Sequence, residues 1–236
     1  VGSEMCIRDS IRIGGQTQYS HSVQNRGSGM EEDMYLYRIT PLGKFQNEDG
    51  TYPGLVGGDS QMYNPLMNMV DGAVDRPLKN SRFLGSYFAD IKLPVKGLTF
   101  RSQISTNLNN ARNGKYVGTH SLQGVENGYA APYSYISNYY GYSYAWDNVL
   151  TYDVEPVKGH KLTLTGVTSW NKGQSDNNNM RASGQPLDSY LFHNMASGIT
   201  KYGVQSKYSQ TQKMSYALRF NYVYKDKYLS LIHISE

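Results

Sequence analysis

The sequence predicts an all-β fold: antiparallel up-and-down strands of a partial transmembrane β-barrel, an open curved sheet with long extracellular loops and short periplasmic turns. Three observations predict it. Apolar and polar residues alternate with period two through six segments, as successive strand side chains must. The connections between those segments alternate strictly between short and long. No run of about 18 apolar residues exists, so no helix of this chain is built to cross a membrane.

The flanks stand apart from this pattern. Val1 to Ser10 can be encoded by one oligonucleotide whose tail, read on the opposite strand, encodes Leu229 to Glu236. Both ends therefore read as a transposon-type sequencing adapter, and such scars are excluded from fold reasoning. Residues 1–10 and 229–236 are expected to be non-native, and 11–228 to be an internal barrel segment of a longer protein.

The strands are expected near 11–21, 81–93, 98–106, 144–154, 161–170 and 212–224, with the stub of a seventh from Tyr228. In the first, Ile11, Ile13 and Tyr19 share a face opposite Arg12, Gln16 and Ser20. Phe83, Tyr87 and Ile91 lead the second, Phe100 the third, and Trp146 and Leu150 the fourth. Leu164 marks the fifth, with Leu218 and Phe220 in the sixth. "PVKG" (Pro94 to Gly97), "EPVKGH" (Glu155 to His160) and "KDK" (Lys225 to Lys227) form the short connections. The long ones run from Ser22 to Lys79, Asn107 to Ser143 and Asn171 to Gln210.

Alternation alone suits a soluble half-exposed sheet as well as a barrel. Connection lengths separate the two, because loops beyond about 12–15 residues are uncommon in compact soluble domains and standard on one side of an outer-membrane barrel. Aromatics also sit where membrane girdles belong: Trp146 and Trp170 toward the long loops, Tyr222, Tyr224 and Tyr228 by a short turn. In that arrangement Phe83, Tyr87, Ile91, Phe100, Leu164, Leu218 and Phe220 face lipid, and Arg82, Asp90, Lys92, Arg101, Asp147, Asp153, Lys161 and Arg219 face the lumen. Cut from a wide barrel, the piece is expected to leave two unpaired sheet edges.

Composition narrows function. The chain holds 22 Tyr and only 18% charged residues, unlike a disordered tail. Removing Arg8, Glu4, Asp9 and Glu236 leaves 22 basic and 16 acidic residues, a net +6 without clustering, so no nucleic-acid groove is indicated. The one cysteine, Cys6, lies in a flank, so no disulfide framework or thiolate metal site arises. His21, His120, His160 and His193 lack metal-ligand spacing, and His160 reads as a solvated turn residue. "NEDGTYPG" (Asn47 to Gly54) reads as an Asp-Gly turn, since it lacks calcium-loop spacing. "SDNNN" (Ser175 to Asn179) reads as a loop tip. In "YNPLMN" (Tyr63 to Asn68), Pro65 fixes a turn that pins the first long loop. No catalytic residue, metal or cofactor is expected.

Binding has one compositional signal. The stretch from Tyr129 to Trp146 reads as a loop holding seven Tyr and one Trp. Tyrosine pairs a flat apolar face with a hydrogen-bonding tip, suited to sugar rings or peptide backbones. Tyr133, Tyr135, Tyr139, Tyr140 and Tyr142 are the candidate substrate contacts; the alternative is that these rings pack loop against loop or against a partner.

Taken in order, "NEDGTYPG", "YNPLMN", "NSRFLGSYFADIKLPVKGLTFRSQIS" (Asn80 to Ser105), "YAWDNVLTYD" (Tyr144 to Asp153) and "SYALRFNYVYKDKYL" (Ser215 to Leu229) resemble the SusC/RagA-type TonB-dependent transporters of Bacteroidetes-like bacteria. The resemblance implies a plugged outer-membrane barrel of about 22 strands. It also implies coupling to a TonB complex, a SusD-like lipoprotein as lid, outer-membrane lipid around the wall, and a glycan or peptide as substrate. The plug and the TonB-engaging segment have no counterpart in these residues.

Overall fold

A computed structural model describes residues 2–7, 10–26, 42–57, 62–126, 132–225 and 227–235. Nine antiparallel strands form one sheet: β1 (Gly2–Ile7), β2 (Ile11–Asn25), β3 (Val74–Asp75), β4 (Pro77–Lys92), β5 (Leu98–Val117), β6 (Tyr133–Val157), β7 (His160–Ser183), β8 (Thr200–Tyr224) and β9 (Tyr228–Ser235). Their order is β1-β2-β4-β5-β6-β7-β8-β9, each strand beside its neighbour in sequence, with the short β3 pairing β5. Among the described residues the sheet does not close. Its outermost strands, β1 and β9, come from the two flanks and pair with β2 and β8.

Tight turns close one end. Between β4 and β5, Leu98 N donates to Val95 O at 3.0 Å, and Gly97 holds φ +84°. A Cβ at Gly97 would fall inside the Asp153 carbonyl oxygen of β6, whose own amide donates to Gly97 O at 2.8 Å. Only glycine fits this approach. The β6–β7 turn contracts to Lys158 and Gly159, and Lys225 N donates to Gly159 O at 2.7 Å, tying it to the next turn. Asp226 of that next turn lies outside the described residues.

The strands run well past the expected ends. β5 has 20 residues, β6 25, β7 24 and β8 25, where a tilted crossing needs about 9–11. The β6–β7 and β7–β8 ladders stay paired to Ser183 and Thr200. "SDNNN" is therefore mid-strand in β7 rather than a loop tip, and the tyrosine-rich stretch from Tyr133 onward is β6 rather than loop. Tyr129 to Ala131 lie outside the described residues. Once a strand leaves an apolar surrounding, both its faces turn polar and the alternation vanishes, although the backbone hydrogen bonds do not.

Packing concentrates at the far end. Residues 184–199 fold back over β5–β7, where Phe192 (4% exposed) packs with Tyr116 (0%) and Ile136 and is flanked by Met180, Leu191 and Met195. Phe192 occupies the space a side chain at Gly114 would fill. The Tyr116 hydroxyl donates to Asp188 Oδ1 at 2.7 Å, and Ser134 Oγ donates to Leu191 O at 2.9 Å. Burial first, and the Asp188 carboxylate second, push the Tyr116 phenol above its ordinary range. In the first long connection, Asn64 caps a 3-10 turn starting at Pro65, and its Nδ2 donates to Phe45 O at 2.7 Å and Pro53 O at 2.9 Å. The Asp49–Gly50 turn has Asp49 Oδ1 accepting from Thr51 N at 3.0 Å.

Candidate functional site: a polar face backed by an apolar band

Strand register sorts the side chains onto two faces. Cross-strand rows such as Ile91–Phe100–Leu150–Gly166–Leu218 and Tyr87–Ile104–Trp146–Trp170–Met214 put apolar groups on one side. All seven residues expected to face lipid lie on it: Phe83, Tyr87 and Ile91 of β4, Phe100 of β5, Leu164 of β7, and Leu218 and Phe220 of β8. No second layer covers this band among the described residues. Tyr87 is 44% exposed, Leu164 41% and Phe220 36%. Trp146 and Trp170 are direct cross-strand partners, marking one border of the band. At the other border His160 is not a bare turn residue: its Nδ1 lies 2.7 Å from the Tyr222 hydroxyl, and its ring centroid lies 4.6 Å from that of Tyr224.

The opposite face is predominantly polar from β2 to β8, with Leu84, Phe88, Val149 and Val167 interspersed. The eight residues expected to face the lumen share it: Arg82, Asp90 and Lys92 of β4, Arg101 of β5, Asp147 and Asp153 of β6, Lys161 of β7 and Arg219 of β8. Near the turn end, Asp90 accepts from Arg12 Nη2 at 2.6 Å and lies 3.5 Å from Arg101 Nη1. The Arg101 guanidinium stacks 4.3 Å from the Phe88 ring centroid. Higher up, Gln103 Nε2 donates to Ser86 Oγ at 3.3 Å, and Arg82 Nε to Asn107 Oδ1 at 3.0 Å. Asp147 accepts from Ser169, and Asp153 from Thr163. These bonds run across strands and fix the orientation of side chains that a solute on this face would meet.

The five candidate tyrosines do not form one site. Counting along β6, Tyr133, Tyr135 and Tyr139 belong to the polar face, whereas Tyr140 and Tyr142 belong to the apolar one. Tyr135 donates to Asn179 Oδ1 at 3.3 Å, with Arg181 5.4 Å above its ring. Burial raises the Tyr133 phenol, with Arg181 opposing that rise. The Tyr139 ring lies over Gly141, at the wall of a shallow concavity with Arg82, Asn107, Asn109, Ser143 and Ser175. Tyr142 instead donates to Gln174 Oε1 at 2.8 Å on the other side. The sequence reading missed these polar-face amides and hydroxyls because it placed them in loops; the odd–even count from Trp146 already carried the signal. Among the described residues no three His, Cys, Asp or Glu side chains converge as metal ligands.

A one-layer, up-and-down sheet with a continuous exposed apolar band behind a hydrogen-bonded polar face defines part of the wall of a transmembrane β-barrel. The comparisons agree with that class. The chain is 29% identical over 231 residues to TonB-dependent receptor P26 of Formosa agariphila, covering 94% of this chain and 22% of that protein. Among solved structures it matches the RagAB peptide transporter with a TM-score of 0.74, 16% identity and 98% of this chain covered. The RagAB peptide importer in its closed-closed and open-open states gives TM-scores of 0.73 and 0.71. At that identity the structural likeness is one of fold. No protein-family model matches the chain. By sequence and fold, then, the chain is similar to a segment of a SusC/RagA-type TonB-dependent receptor, spanning 22% of the curated relative and 26% of the solved chains.

Proposed function

We propose that this chain forms part of the barrel of an outer-membrane importer of large nutrients, oligosaccharides or peptides. In this reading it is energised through a TonB complex and works with a SusD-like surface lipoprotein. One observation carries it: the apolar band is exposed, one layer deep and of membrane scale. On β7 it runs from Leu162 to Trp170, which spans about 20 Å along the membrane normal for a tilted strand, close to the roughly 25 Å apolar band of such barrels. Water does not tolerate so continuous an apolar surface; lipid does.

The strands from β2 to β8 leave the sheet open, and a barrel of about 22 strands, as the family resemblance implies, carries a plug rather than a packed interior. The relative named as a TonB-dependent receptor and the RagAB peptide transporters support the importer reading. Passage is gated: the lid delivers substrate at the loop end, and plug displacement opens a path along the polar face. The chain's own residues contribute an ordered hydrogen-bonding wall and no bond chemistry. We place Tyr133, Tyr135 and Tyr139 toward the substrate path and Tyr140 and Tyr142 on the outside. Residues 1–10 and 229–236 are proposed to be adapter-encoded; their pairing at the sheet edges follows from the open backbone groups any edge strand offers.

Fractionation of cells carrying the full-length gene tests the reading. The importer belongs in detergent extracts of the outer membrane, with gel mobility that shifts on boiling. Recovery as a soluble surface adhesin or glycan-binding protein without a pore overturns it. Tyr135→Ala with Tyr139→Ala should slow substrate uptake severalfold, whereas Tyr140→Ala with Tyr142→Ala should leave it unchanged.

A further inference from the structure

Two cations face each other on the apolar side of the sheet, above its band. Lys79 of β4 is the direct cross-strand partner of Arg112 of β5. By register they share a face with Phe83 and Leu108, two pleats below, and both are exposed. Like charges directly opposite on a sheet repel and destabilise it. Among the described residues nothing on this face relieves the pair: neither residue makes an ion pair or side-chain hydrogen bond with one of them. The carboxylates on the same face are engaged elsewhere or distant in register: Asp188, over the sheet, accepts from the Tyr116 hydroxyl two pleats above Arg112. Asp75 stands two pleats higher, opposite Tyr116, and Asp176 one pleat lower and two strands away. His21, one pleat lower on β2, is hydrogen-bonded to Ser81.

The height of the pair is informative. Phe83 lies four positions beyond Lys79, which is roughly 13 Å along the strand and about 10 Å along the membrane normal. Long basic side chains bend their charged heads toward an interface while their stems cover apolar surface. Both cations therefore reach the headgroup layer that borders the hydrocarbon core.

We propose that Lys79 and Arg112 bind a phosphate of an outer-leaflet lipid headgroup, the anion whose presence turns a repulsive pair into a two-pronged charge-assisted site. This rests on the barrel reading above. The guanidinium offers a bidentate fork to the phosphate and the ammonium a compact second charge. The lipid acyl chains then lie along the band below, beside Phe83 and Leu108.

The test uses the full-length protein in nanodiscs containing either bisphosphorylated lipid A or its dephosphorylated form. After detergent extraction, native mass spectrometry counts the lipid retained; boiling-dependent gel mobility in the same samples reports insertion. Wild type should retain the phosphorylated lipid roughly tenfold better, the difference expected of charge-assisted bonds. Lys79→Gln with Arg112→Gln should abolish that preference. Lys79→Glu, which gives Arg112 an internal carboxylate, should also abolish it while raising the melting temperature, an effect a misfolded variant would not show. Inorganic phosphate should leave retention unchanged; displacement by it overturns the lipid assignment in favour of a free-anion site. An inserted barrel that retains both lipids equally, or a Lys79→Glu variant that retains them as wild type does, overturns this inference alone. Failure to insert overturns the barrel reading and the inference together.

Discussion

Leu164 and Thr165 are sequence neighbours on β7 that point to opposite faces, so a pair of arginine substitutions reads which solvent each face meets. Leu164 sits one pleat from Gly166, the middle of the Leu162–Trp170 band, or about 5 Å from the bilayer centre along the normal. At that depth Leu164→Arg should cost about 3 kcal/mol, near the midplane range for arginine on a barrel's lipid face, or about a hundredfold in the folding equilibrium. Thr165→Arg meets the hydrated side, where Thr165 is the cross-strand partner of Arg219, and should cost within about 0.5–1 kcal/mol. The assay is a guanidinium series on the full-length protein in vesicles, scoring the folded fraction by boiling-dependent mobility. Were the apolar band merely a water-facing surface, Leu164, already 41% exposed, would accept arginine nearly freely. Equal costs, or a larger cost at Thr165, would refute the face assignment.

Gly97→Ala should destabilise the β4–β5 turn by about 2 kcal/mol or more, because a Cβ meets the Asp153 carbonyl and φ +84° is strained for alanine; thermal melting of the reconstituted protein checks it. Phe192→Ala or Gly114→Leu should release residues 184–199 from β5–β7 at a cost of about 3 kcal/mol for the phenylalanine, read as faster protease cleavage there with barrel mobility unchanged. Hydrogen bonds from Thr51 hold the Asp49 carboxyl below its ordinary 3.8, so the turn it braces is most stable above that pH and loosens as pH falls through the lowered value. Amide exchange at Thr51 against pH should show that sign, and Asp49→Asn should flatten it. Asp90→Asn should leave Arg12 and Arg101 without their shared carboxylate at a cost of about 1 kcal/mol, since all three are partly solvated.

What the sequence disclosed follows from where two solvents meet. Within the band, Leu162, Leu164, Trp170 and their polar neighbours alternate because one side is apolar and the other wet, so strand position and face were both readable. Beyond Trp170 the same strand continues as "NKGQSDNNN" with polar residues on both faces, and nothing in composition separates strand from loop. The Phe192 contact with Tyr116 and Ile136 joins residues far apart in the chain and has no period to betray it. The division of the five tyrosines was different: parity from Trp146 separates Tyr139 from Tyr140, and only the assumption of a loop concealed it.

Ile11 to Tyr228 contains no cysteine, so single cysteines placed one at a time from Lys161 to Trp170 report cleanly on their surroundings. The decisive measurement is their reaction with a membrane-impermeant thiol reagent in the full-length protein embedded in bilayers and opened to reagent on both sides. The barrel account requires protection at 162, 164, 166, 168 and 170 and labelling at 161, 163, 165, 167 and 169. Uniform labelling, or protection of the odd positions instead, would contradict it.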